Sequence, residues 1–217
     1  MFQSIVNHRM LSFWIGVALL FLASAASAQD QDQPDEMMRK TTSEILELIK
    51  TNKSVYEADR DKLFDMVDKK VLPYFDFRKM SQLVLGLNWR TASEKQQNEF
   101  TNEFKQLLVR TYAVALLKYT DQKLVYLPYT GKPTDKTVIV KVNITQSGGS
   151  PDIPFYTRFY NGKNGWKVID IAIEGVSLVT NYRKVYDQTI KTEGLDALIA
   201  SLAKANQKAR AEQVSKK

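Results

Sequence analysis

Histidine and cysteine, the side chains behind most nucleophilic, general-base and transition-metal chemistry near neutral pH, are nearly absent from this sequence. The chain contains a single histidine, His8, and no cysteine. His8 falls in an N-terminal segment that has the features of a cleaved export signal, so the mature chain would contain neither residue. The composition therefore favours a binding role over an enzymatic one.

Asp170 is the strongest of the remaining candidates for catalysis. It stands in an apolar run, Val168–Ala172, and a buried carboxylate in such a strand can serve as a general base, as in cone-shaped isomerases. The plainer interpretation, which we favour, is a carboxylate that hydrogen-bonds a neighbour and fixes the sheet. Because the sequence shows no Gly-rich phosphate loop and no carboxylate cluster for a hard metal, it predicts no catalytic residue, no metal and no cofactor.

The N-terminus has the three parts of a signal peptide. A short basic segment precedes the apolar run Leu11–Leu22, and a small-x-small cleavage site ends at Ala28. The run is shorter than the ~20 residues that span a bilayer, and no cysteine follows it for lipid attachment. We therefore predict a signal peptide over residues 1–28 and a single exported domain over residues 29–217, located in a bacterial periplasm.

The net charge of the chain is +7 and is spread along the sequence. Because lysine and arginine are not interleaved with aromatic residues, nucleic-acid binding is not expected. The plainest interpretation of the charge is solubility. The sharper interpretation is docking to acidic protein faces or to anionic lipid headgroups.

Helical spacing of apolar residues predicts helices in the first half of the chain. We expect helices near Met37–Thr51 and Asp59–Leu72 and a short helix that Asp76 caps and Gly86 ends. A capping box formed by Ser93 and Gln96 begins what we expect to be the longest helix, which could reach Tyr119. Each of these helices has one apolar side for packing.

The apolar period changes to two in the second half, which is typical of strands. Alternation over Val138–Ile144 predicts a half-buried strand, and a turn at Gly148–Pro151 leads to its partner, Ile153–Tyr160. A further strand is expected at Trp166–Glu174 and an edge strand at Lys123–Leu127. The sequence therefore predicts an antiparallel meander of three or four strands.

Two more helices are expected after the sheet, one that Ser177 caps and that runs through Ile190, and one after Gly194. Long helices packed on a curled antiparallel sheet form an α+β fold, here with an NTF2-like, cone-shaped layout. The 10 Tyr, 10 Phe and 6 Met residues fall mostly on core-facing positions. A hydrophobic wedge between sheet and helices, without catalytic groups, favours a carrier of a hydrophobic ligand.

Four separated motifs are more specific than these patterns. They are Tyr74–Phe77, Trp89–Ser93, Gly165–Val168 and, most specific, Glu174–Arg183. In their order and spacing they resemble the MlaC family, periplasmic phospholipid-binding proteins also described as toluene-tolerance factors. The resemblance extends over most of the chain, from about Thr41 to Asn206.

The resemblance implies a soluble shuttle of Gram-negative bacteria that carries glycerophospholipids through the periplasm and maintains the lipid asymmetry of the outer membrane. The implied partners are phospholipid, an MlaD-type MCE protein of the inner-membrane transporter, and an MlaA-type outer-membrane lipoprotein with an OmpC-type porin. The acyl chains would be held inside, as cargo rather than as a cofactor, with the headgroup near solvent. A monomer is expected.

We expect the cavity wall to form where the last strand joins the next helix, opposite the long helix. The predicted lipid-binding residues are Leu83, Phe104, Leu108, Tyr112, Ile171, Ile173, Val176, Val179 and Tyr182. The basic residues predicted to steer partner docking are Arg90, Lys141, Arg158 and Arg183. The helix Ser177–Ile190, hinged at Gly175 and Gly194, is the predicted gate for lipid release.

Two other functions stay open on the sequence alone. One is a periplasmic isomerase or hydrolase on the same cone fold with Asp170 as its base, for which we expect a small, polar-lined cavity. The other is a helical adaptor or chaperone whose apolar surface binds protein. Phospholipid that co-purifies with the protein would favour the carrier over both.

Overall fold

The computed structural model describes residues 33–120, 122–132, 134–145, 148 and 151–214. The predicted signal peptide and Gly149 and Ser150 of the predicted turn lie outside these residues. Within the described part of the chain, no helix has the length and apolar character needed to cross a membrane. The helices and the antiparallel sheet confirm the predicted α+β class.

The elements follow one another as helices, strands and helices. The helices are α1 (Pro34–Ala58), α2 (Arg60–Lys70), α3 (Phe77–Leu85), α4 (Asn88–Thr91), α5 (Glu94–Tyr112), α6 (Leu178–Glu193) and α7 (Leu195–Val214). The strands are β1 (Lys123–Tyr126), β2 (Thr137–Thr145), β3 (Ile153–Gly162), β4 (Gly165–Ile173) and β5 (Val176–Ser177). Two 3₁₀ helices, Leu72–Tyr74 and Ala113–Lys118, follow α2 and α5.

Helix α1 is longer than the sequence predicts and, at 25 residues, is the longest of the described helices. It continues past the predicted end at Thr51, and its backbone departs from helical geometry at Asn52 (φ −113°, ψ 19°). The Asn52 side-chain amide donates a hydrogen bond to the Leu48 carbonyl at 3.0 Å, which stabilises the turn before the break. Helix α1 therefore consists of two pieces joined at Asn52.

The predicted caps are present at the next helices. The carboxylate of Asp76 accepts the Lys79 N–H at 2.8 Å at the start of α3. At the start of α5, Ser93 Oγ accepts the Gln96 N–H at 3.2 Å and Gln96 Oε1 accepts the Ser93 N–H at 2.9 Å. The expected continuous helix to Tyr119 is wrong, because the chain tightens into the 3₁₀ helix Ala113–Lys118 after α5 ends.

The sheet has five strands in the order β1-β2-β3-β4-β5, and all neighbouring strands are antiparallel. The sequence predicts three or four, and the additional strand is β5. It forms because Glu174 and Gly175 both have positive φ, 52° and 80°, as a two-residue type I′ hairpin turn requires. This turn folds Val176 and Ser177 back onto β4, and two residues are too few to show an alternating pattern.

Strand register aligns apolar side chains in rows across the sheet. One row crosses the first four strands and consists of Tyr126, Val142, Phe155 and Ile173. Because side chains alternate between the two faces along a strand, this row and the residues two positions away on each strand share one face. We call it the inner face of the sheet.

A β-bulge changes the alternation in β4. The register shifts between Arg158 and Phe159 of β3, so that β4 has one extra residue, Ile169. Val168 and Ile171 both lie on the inner face although they are three positions apart. Ile169 instead packs among the side chains of α3, α5, α6 and α7. The bulge thus explains why β4 is apolar on both faces.

Two clusters of buried side chains hold the helices together. Helices α3, α5, α6 and α7 pack around Phe100, Phe104 and Tyr186, and both phenylalanine rings meet the Tyr186 ring edge to face. Helices α1 and α2 pack with the 3₁₀ helix after α5 around Ile49 and Leu63, which are fully buried. The start of α1 lies over the inner face of the sheet.

Candidate functional site

A cavity of about 610 Å³ lies between the inner face of the sheet and the helical elements α1, α5 and the 3₁₀ helix after α5. This volume is within the range of about 300–1,000 Å³ that is typical of ligand-binding cavities in proteins. A second cavity, of about 190 Å³ between α5 and α7, is smaller and is lined mainly by polar side chains. The larger cavity is therefore the candidate functional site.

The sheet forms one wall of the cavity, and the alternation of its strands determines which residues take part. The residues of this wall are Leu124, Tyr126, Val142, Ile144, Ile153, Phe155, Thr157, Phe159, Val168, Ile171 and Ile173. Branched and aromatic side chains are favoured in strands. Here the same residues give the sheet a continuous apolar surface toward the cavity.

Helix α1 forms much of the opposite wall. It contributes Met37, Met38, Thr41, Thr42, Ile45 and Leu46. These residues form pairs repeated every four positions, as expected for a helix that presents one broad side. The sequence predicts an apolar side for this helix but assigns that side to packing, so it missed α1 as a wall of the site.

The lining is almost entirely apolar. Among the described lining residues, Lys118 is the only one with a charged side chain, and no carboxylate is present. The hydroxyl groups come mainly from Thr41, Thr42, Thr157 and tyrosines. A lining of this kind stabilises aliphatic chains that leave water, at about 0.8 kcal/mol for each buried methylene.

The structure brings together four of the nine predicted lipid-binding residues. Leu108 and Tyr112 line the cavity from α5, and Ile171 and Ile173 line it from β4. They converge because α5 ends beside the inner face, where the bulge in β4 has placed Ile171. For these four positions the prediction and the cavity agree, and their contact with lipid stays a prediction.

The other five predicted residues do not line the cavity. Phe104 and Val179 are buried in the core formed by α3, α5, α6 and α7, and Leu83 and Tyr182 pack against the same core. Val176 is 57% exposed in β5. The expected wall is displaced because α6 packs on the side of β4 that carries Ile169, opposite the inner face; only Leu178 of α6 reaches the cavity.

Asp170 is buried, and its carboxylate accepts two hydrogen bonds from neighbouring groups. Its carboxylate accepts the Ser177 hydroxyl at 2.7 Å and the Val179 N–H at 3.1 Å. Both donors lie at the start of α6, where a negative charge is favourable. Asp170 does not line the cavity, so the structure supports the interpretation in which it fixes the sheet to a neighbouring element.

Two tyrosines of α6, the buried Tyr186 and the half-buried Tyr182, connect the helical core to the cavity wall. Burial raises the pKa of Tyr182 and Tyr186 above the usual tyrosine value, and for Tyr182 a hydrogen bond with Tyr112 adds to the effect. Tyr112 in turn lines the cavity. These phenols stay neutral in the folded protein near neutral pH.

The four predicted docking residues are exposed but lie on different elements. Lys141 and Arg158 belong to the outer face of the sheet, where the Lys141 ammonium lies 5.7 Å from the centre of the Tyr156 ring. Arg90 is in α4. The guanidinium of Arg183 donates a hydrogen bond from Nε to the Leu83 carbonyl at 2.7 Å and thereby ties α6 to α3. Arg183 therefore has a structural contact as well as an exposed charge.

Comparison with known proteins decides the family. The sequence model of the family described as MlaC protein matches residues 39–204. The chain belongs to the MlaC family. The resemblance seen in the sequence motifs is thus confirmed, over nearly the range from which it was drawn.

Members and neighbours of the MlaC family match over most of the chain. The intermembrane phospholipid transport system binding protein MlaC of Haemophilus influenzae is 26% identical over 202 residues, covering 91% of this chain and 94% of the relative. The toluene tolerance protein ttg2D of Pseudomonas putida is 25% identical over 202 residues, covering 89% and 93%. A phospholipid-binding protein from Ralstonia solanacearum, solved in complex with a phospholipid, has a TM-score of 0.74 and 29% identity and covers 81% of this chain and 98% of its own.

The cavity of this MlaC family member is suited to binding apolar groups. In the part of the chain that the structure describes, no group of three or more His, Cys, Asp or Glu is placed to hold a metal ion. The cavity wall combines aliphatic and aromatic side chains with a few hydroxyls. Such a site can exclude water and hold hydrocarbon chains.

Proposed function

We propose that this protein binds glycerophospholipid in the cavity between α1 and the sheet and carries it through the periplasm between the outer and inner membranes. The observation that carries the proposal is the lining, in which a single charged side chain accompanies a continuous apolar surface. The phospholipid bound to the Ralstonia solanacearum neighbour supports the same ligand class. Residues 1–28 would direct export and be cleaved on translocation, and the mature carrier would then act as a monomer that maintains outer-membrane lipid asymmetry.

The size of the acyl chains explains why a lipid carrier would need partner proteins for release of its lipid. Two acyl chains contain on the order of 30 methylenes, each worth ~0.8 kcal/mol when removed from water. The sum, roughly 24 kcal/mol, exceeds the ~18–21 kcal/mol at which non-covalent affinities saturate, so it is an upper bound. Even half of this value makes spontaneous release into water too slow for transport.

We therefore propose that lipid is transferred in direct contact with membrane proteins. The donor or acceptor at the outer membrane would be an MlaA-type lipoprotein with an OmpC-type porin, and at the inner membrane an MlaD-type MCE protein. The exposed basic residues Arg90, Lys141 and Arg158 support docking to acidic faces of such partners. The same partners would open the cavity and offer the acyl chains another apolar path.

Catalysis is not part of the proposed function. An isomerase or hydrolase with Asp170 as its base would need that carboxylate to face the ligand. Instead, Asp170 binds Ser177 and the backbone of Val179, and the cavity is large and apolar rather than small and polar. A protein-binding adaptor would need an apolar outer surface, whereas the apolar side chains here enclose a cavity.

Lipid analysis of the purified protein tests the proposal. The full chain would be expressed with its leader in a Gram-negative host, purified without detergent, extracted with organic solvent and analysed by mass spectrometry. We expect at least about one glycerophospholipid molecule per protein molecule. An unrelated periplasmic protein that is purified in parallel should yield only traces of phospholipid. A folded protein that carries no phospholipid and takes up none from vesicles would contradict the proposal.

A further inference from the structure

The single charge in the cavity lining lies at the opening of the cavity. Lys118 is the last residue of the 3₁₀ helix after α5. Of the described lining residues, only Lys118 and Ala115 are exposed, and both belong to this short helix. The cavity therefore reaches solvent beside the 3₁₀ helix, and the exposed Lys118 side chain belongs to the opening from which the polar end of an inserted lipid would emerge.

The turn that follows Lys118 holds a second polar group at the same edge. The Tyr119 hydroxyl donates a hydrogen bond to the Gln122 carbonyl at 2.9 Å, and the Thr120 N–H donates to Gln122 Oε1 at 2.9 Å. Gln122 lines the cavity. The side-chain oxygen of Gln122 accepts the Thr120 N–H. The NH₂ group of the same amide is therefore the group that can donate hydrogen bonds to a ligand.

These two groups are complementary to an anion. An ammonium has three donors and no acceptor, and the NH₂ of a carboxamide adds donors. Among the described residues, no carboxylate forms an ion pair with Lys118. The opening therefore combines a positive charge and hydrogen-bond donors with an apolar interior, which matches an amphiphile whose polar end is anionic.

We propose that Lys118 and Gln122 form a binding subsite for the phosphate diester of the bound lipid. The inference rests on the proposed function and goes beyond it, because it assigns recognition to the phosphate as well as to the acyl chains. The subsite is exposed and contacts the phosphate rather than the group esterified to it. It therefore selects phospholipids over uncharged diacylglycerol without choosing among phospholipid headgroups.

Competition between lipids with identical acyl chains tests this proposal. Delipidated protein would be incubated with vesicles that contain phosphatidylethanolamine, phosphatidylglycerol and diacylglycerol in equal amounts, and the bound lipids would be extracted and counted by mass spectrometry. The variants are Lys118→Gln, Lys118→Glu and Lys118→Arg. The control is Lys163→Glu, which makes the same charge change at an exposed residue of the β3–β4 turn.

We expect the ratio of bound phospholipid to bound diacylglycerol to fall about threefold in Lys118→Gln and about tenfold in Lys118→Glu, since an exposed charge contact is of modest strength and charge reversal adds repulsion. Gln122→Ala should lower the ratio in the same direction, whereas Lys118→Arg and Lys163→Glu should resemble the wild type. Retained diacylglycerol in the Lys118 variants would show that the cavity still binds acyl chains.

An unchanged ratio in folded Lys118→Glu would overturn the subsite. An equal loss in Lys163→Glu would also overturn it, because the effect would then follow net charge rather than position. If Lys118→Glu does not fold, Lys118→Gln provides the same comparison. Loss of all lipids, including diacylglycerol, from the wild type would instead contradict the proposed function itself.

Discussion

At the residue scale, Asp170 shows how a buried carboxylate can serve structure rather than chemistry. The sequence places it in an apolar strand, where a general base is possible but a structural contact is the favoured interpretation. The bulge in β4 and the turn at Glu174 and Gly175 bring Ser177 and the start of α6 to its oxygens. These are backbone features that alternation in the sequence does not reveal, so the structural role of Asp170 could be predicted from the sequence but its hydrogen-bond partners could not.

Replacement of Asp170 should affect stability and leave the ligand bound. In Asp170→Ala the buried Val179 N–H and the Ser177 hydroxyl lose their acceptor, which should lower the free energy of unfolding by about 2 kcal/mol. Urea denaturation measures this change, and Asp152→Ala, at an exposed carboxylate, should change it by less than about 0.5 kcal/mol. Wild-type stability in Asp170→Ala would show that the two hydrogen bonds contribute little to the fold.

The two tyrosines of α6 that pack in the helical core give the fold a pH dependence at high pH. Because burial raises the pKa of Tyr182 and Tyr186, the folded protein keeps protons that the unfolded chain loses above its ordinary tyrosine pKa of about 10. Their contribution to stability is therefore complete below pH 10 and is lost as the pH rises further. We expect the free energy of unfolding to decline less steeply between pH 9 and pH 11 in Tyr182→Phe/Tyr186→Phe than in the wild type. Equal slopes in the variant and the wild type would show that these two tyrosines do not cause the loss of stability at high pH.

At the element scale, α1 replaces α6 as the element that covers the cavity. Helix α1 contributes six residues to the cavity lining, whereas Leu178 is the only contribution of α6. The Arg39 guanidinium lies 4.0 Å from the centre of the Tyr126 ring, which joins α1 to β1 across the cavity edge. The break at Asn52 separates this covering piece from the piece that packs on α2. The predicted gate Ser177–Ile190 is instead held by Arg183 and by the helical core.

Crosslinking distinguishes the two helices as gates. The protein has no native cysteine, so Arg39→Cys/Tyr126→Cys can be joined by a reducible bismaleimide, and Leu83→Cys/Arg183→Cys can join α6 to α3 as the control. We expect the first crosslink to lower phospholipid transfer to vesicles bearing an MlaD-type protein by at least about tenfold, with reduction restoring it, because α1 could no longer move from the sheet. The second crosslink should have little effect.

Full transfer by the crosslinked Arg39→Cys/Tyr126→Cys protein would show that lipid leaves without movement of α1. Loss of transfer in the α6 control alone would return the gate to α6, as the sequence predicts. In both cases, each variant is compared before and after crosslinking, so that the effect of replacing Tyr126 is separated from the effect of the bridge.

The sequence predicts individual helices and strands better than it predicts which of them pack against each other. Caps at Asp76, Ser93 and Ser177 and the alternation in β2 depend on residues close in the chain, and the structure contains all of them. The face that a helix presents to the sheet depends on tertiary packing. Periodicity identified apolar sides for both α1 and α6, but nothing in the local pattern indicates that α1 meets the inner face while α6 meets the opposite side of β4.

At the scale of the whole molecule, charge and apolar binding are separated in space. Exposed basic residues lie on the outer face of the sheet and on the helices, whereas the cavity is lined by apolar side chains. On the proposed function, long-range steering of partners would depend on the basic residues and be screened by salt, while burial of acyl chains would depend on the cavity lining. The two activities should therefore respond differently to ionic strength.

Higher salt should slow docking far more than it weakens lipid retention. Between 0.15 M and 1 M salt the Debye length falls from ~8 Å to ~3 Å, which weakens steering between exposed charges. We expect the association rate with an MlaD-type partner, measured by surface-based kinetics, to fall several-fold, and Lys141→Glu/Arg158→Glu to reproduce the fall at low salt. Retained phospholipid should change much less. A salt-independent association rate would exclude charge steering.

The central claim, that phospholipid acyl chains occupy the cavity on the inner face of the sheet, is tested most directly by two variants that place the same charge three residues apart. Ile173→Asp introduces a carboxylate into the cavity lining, whereas Val176→Asp introduces it at a residue that is 57% exposed. Extraction and mass spectrometry of the folded proteins would measure the phospholipid bound per molecule. The structure predicts that Ile173→Asp loses most of its lipid and Val176→Asp keeps it. Equal retention by both, or loss only in Val176→Asp, would contradict the claim.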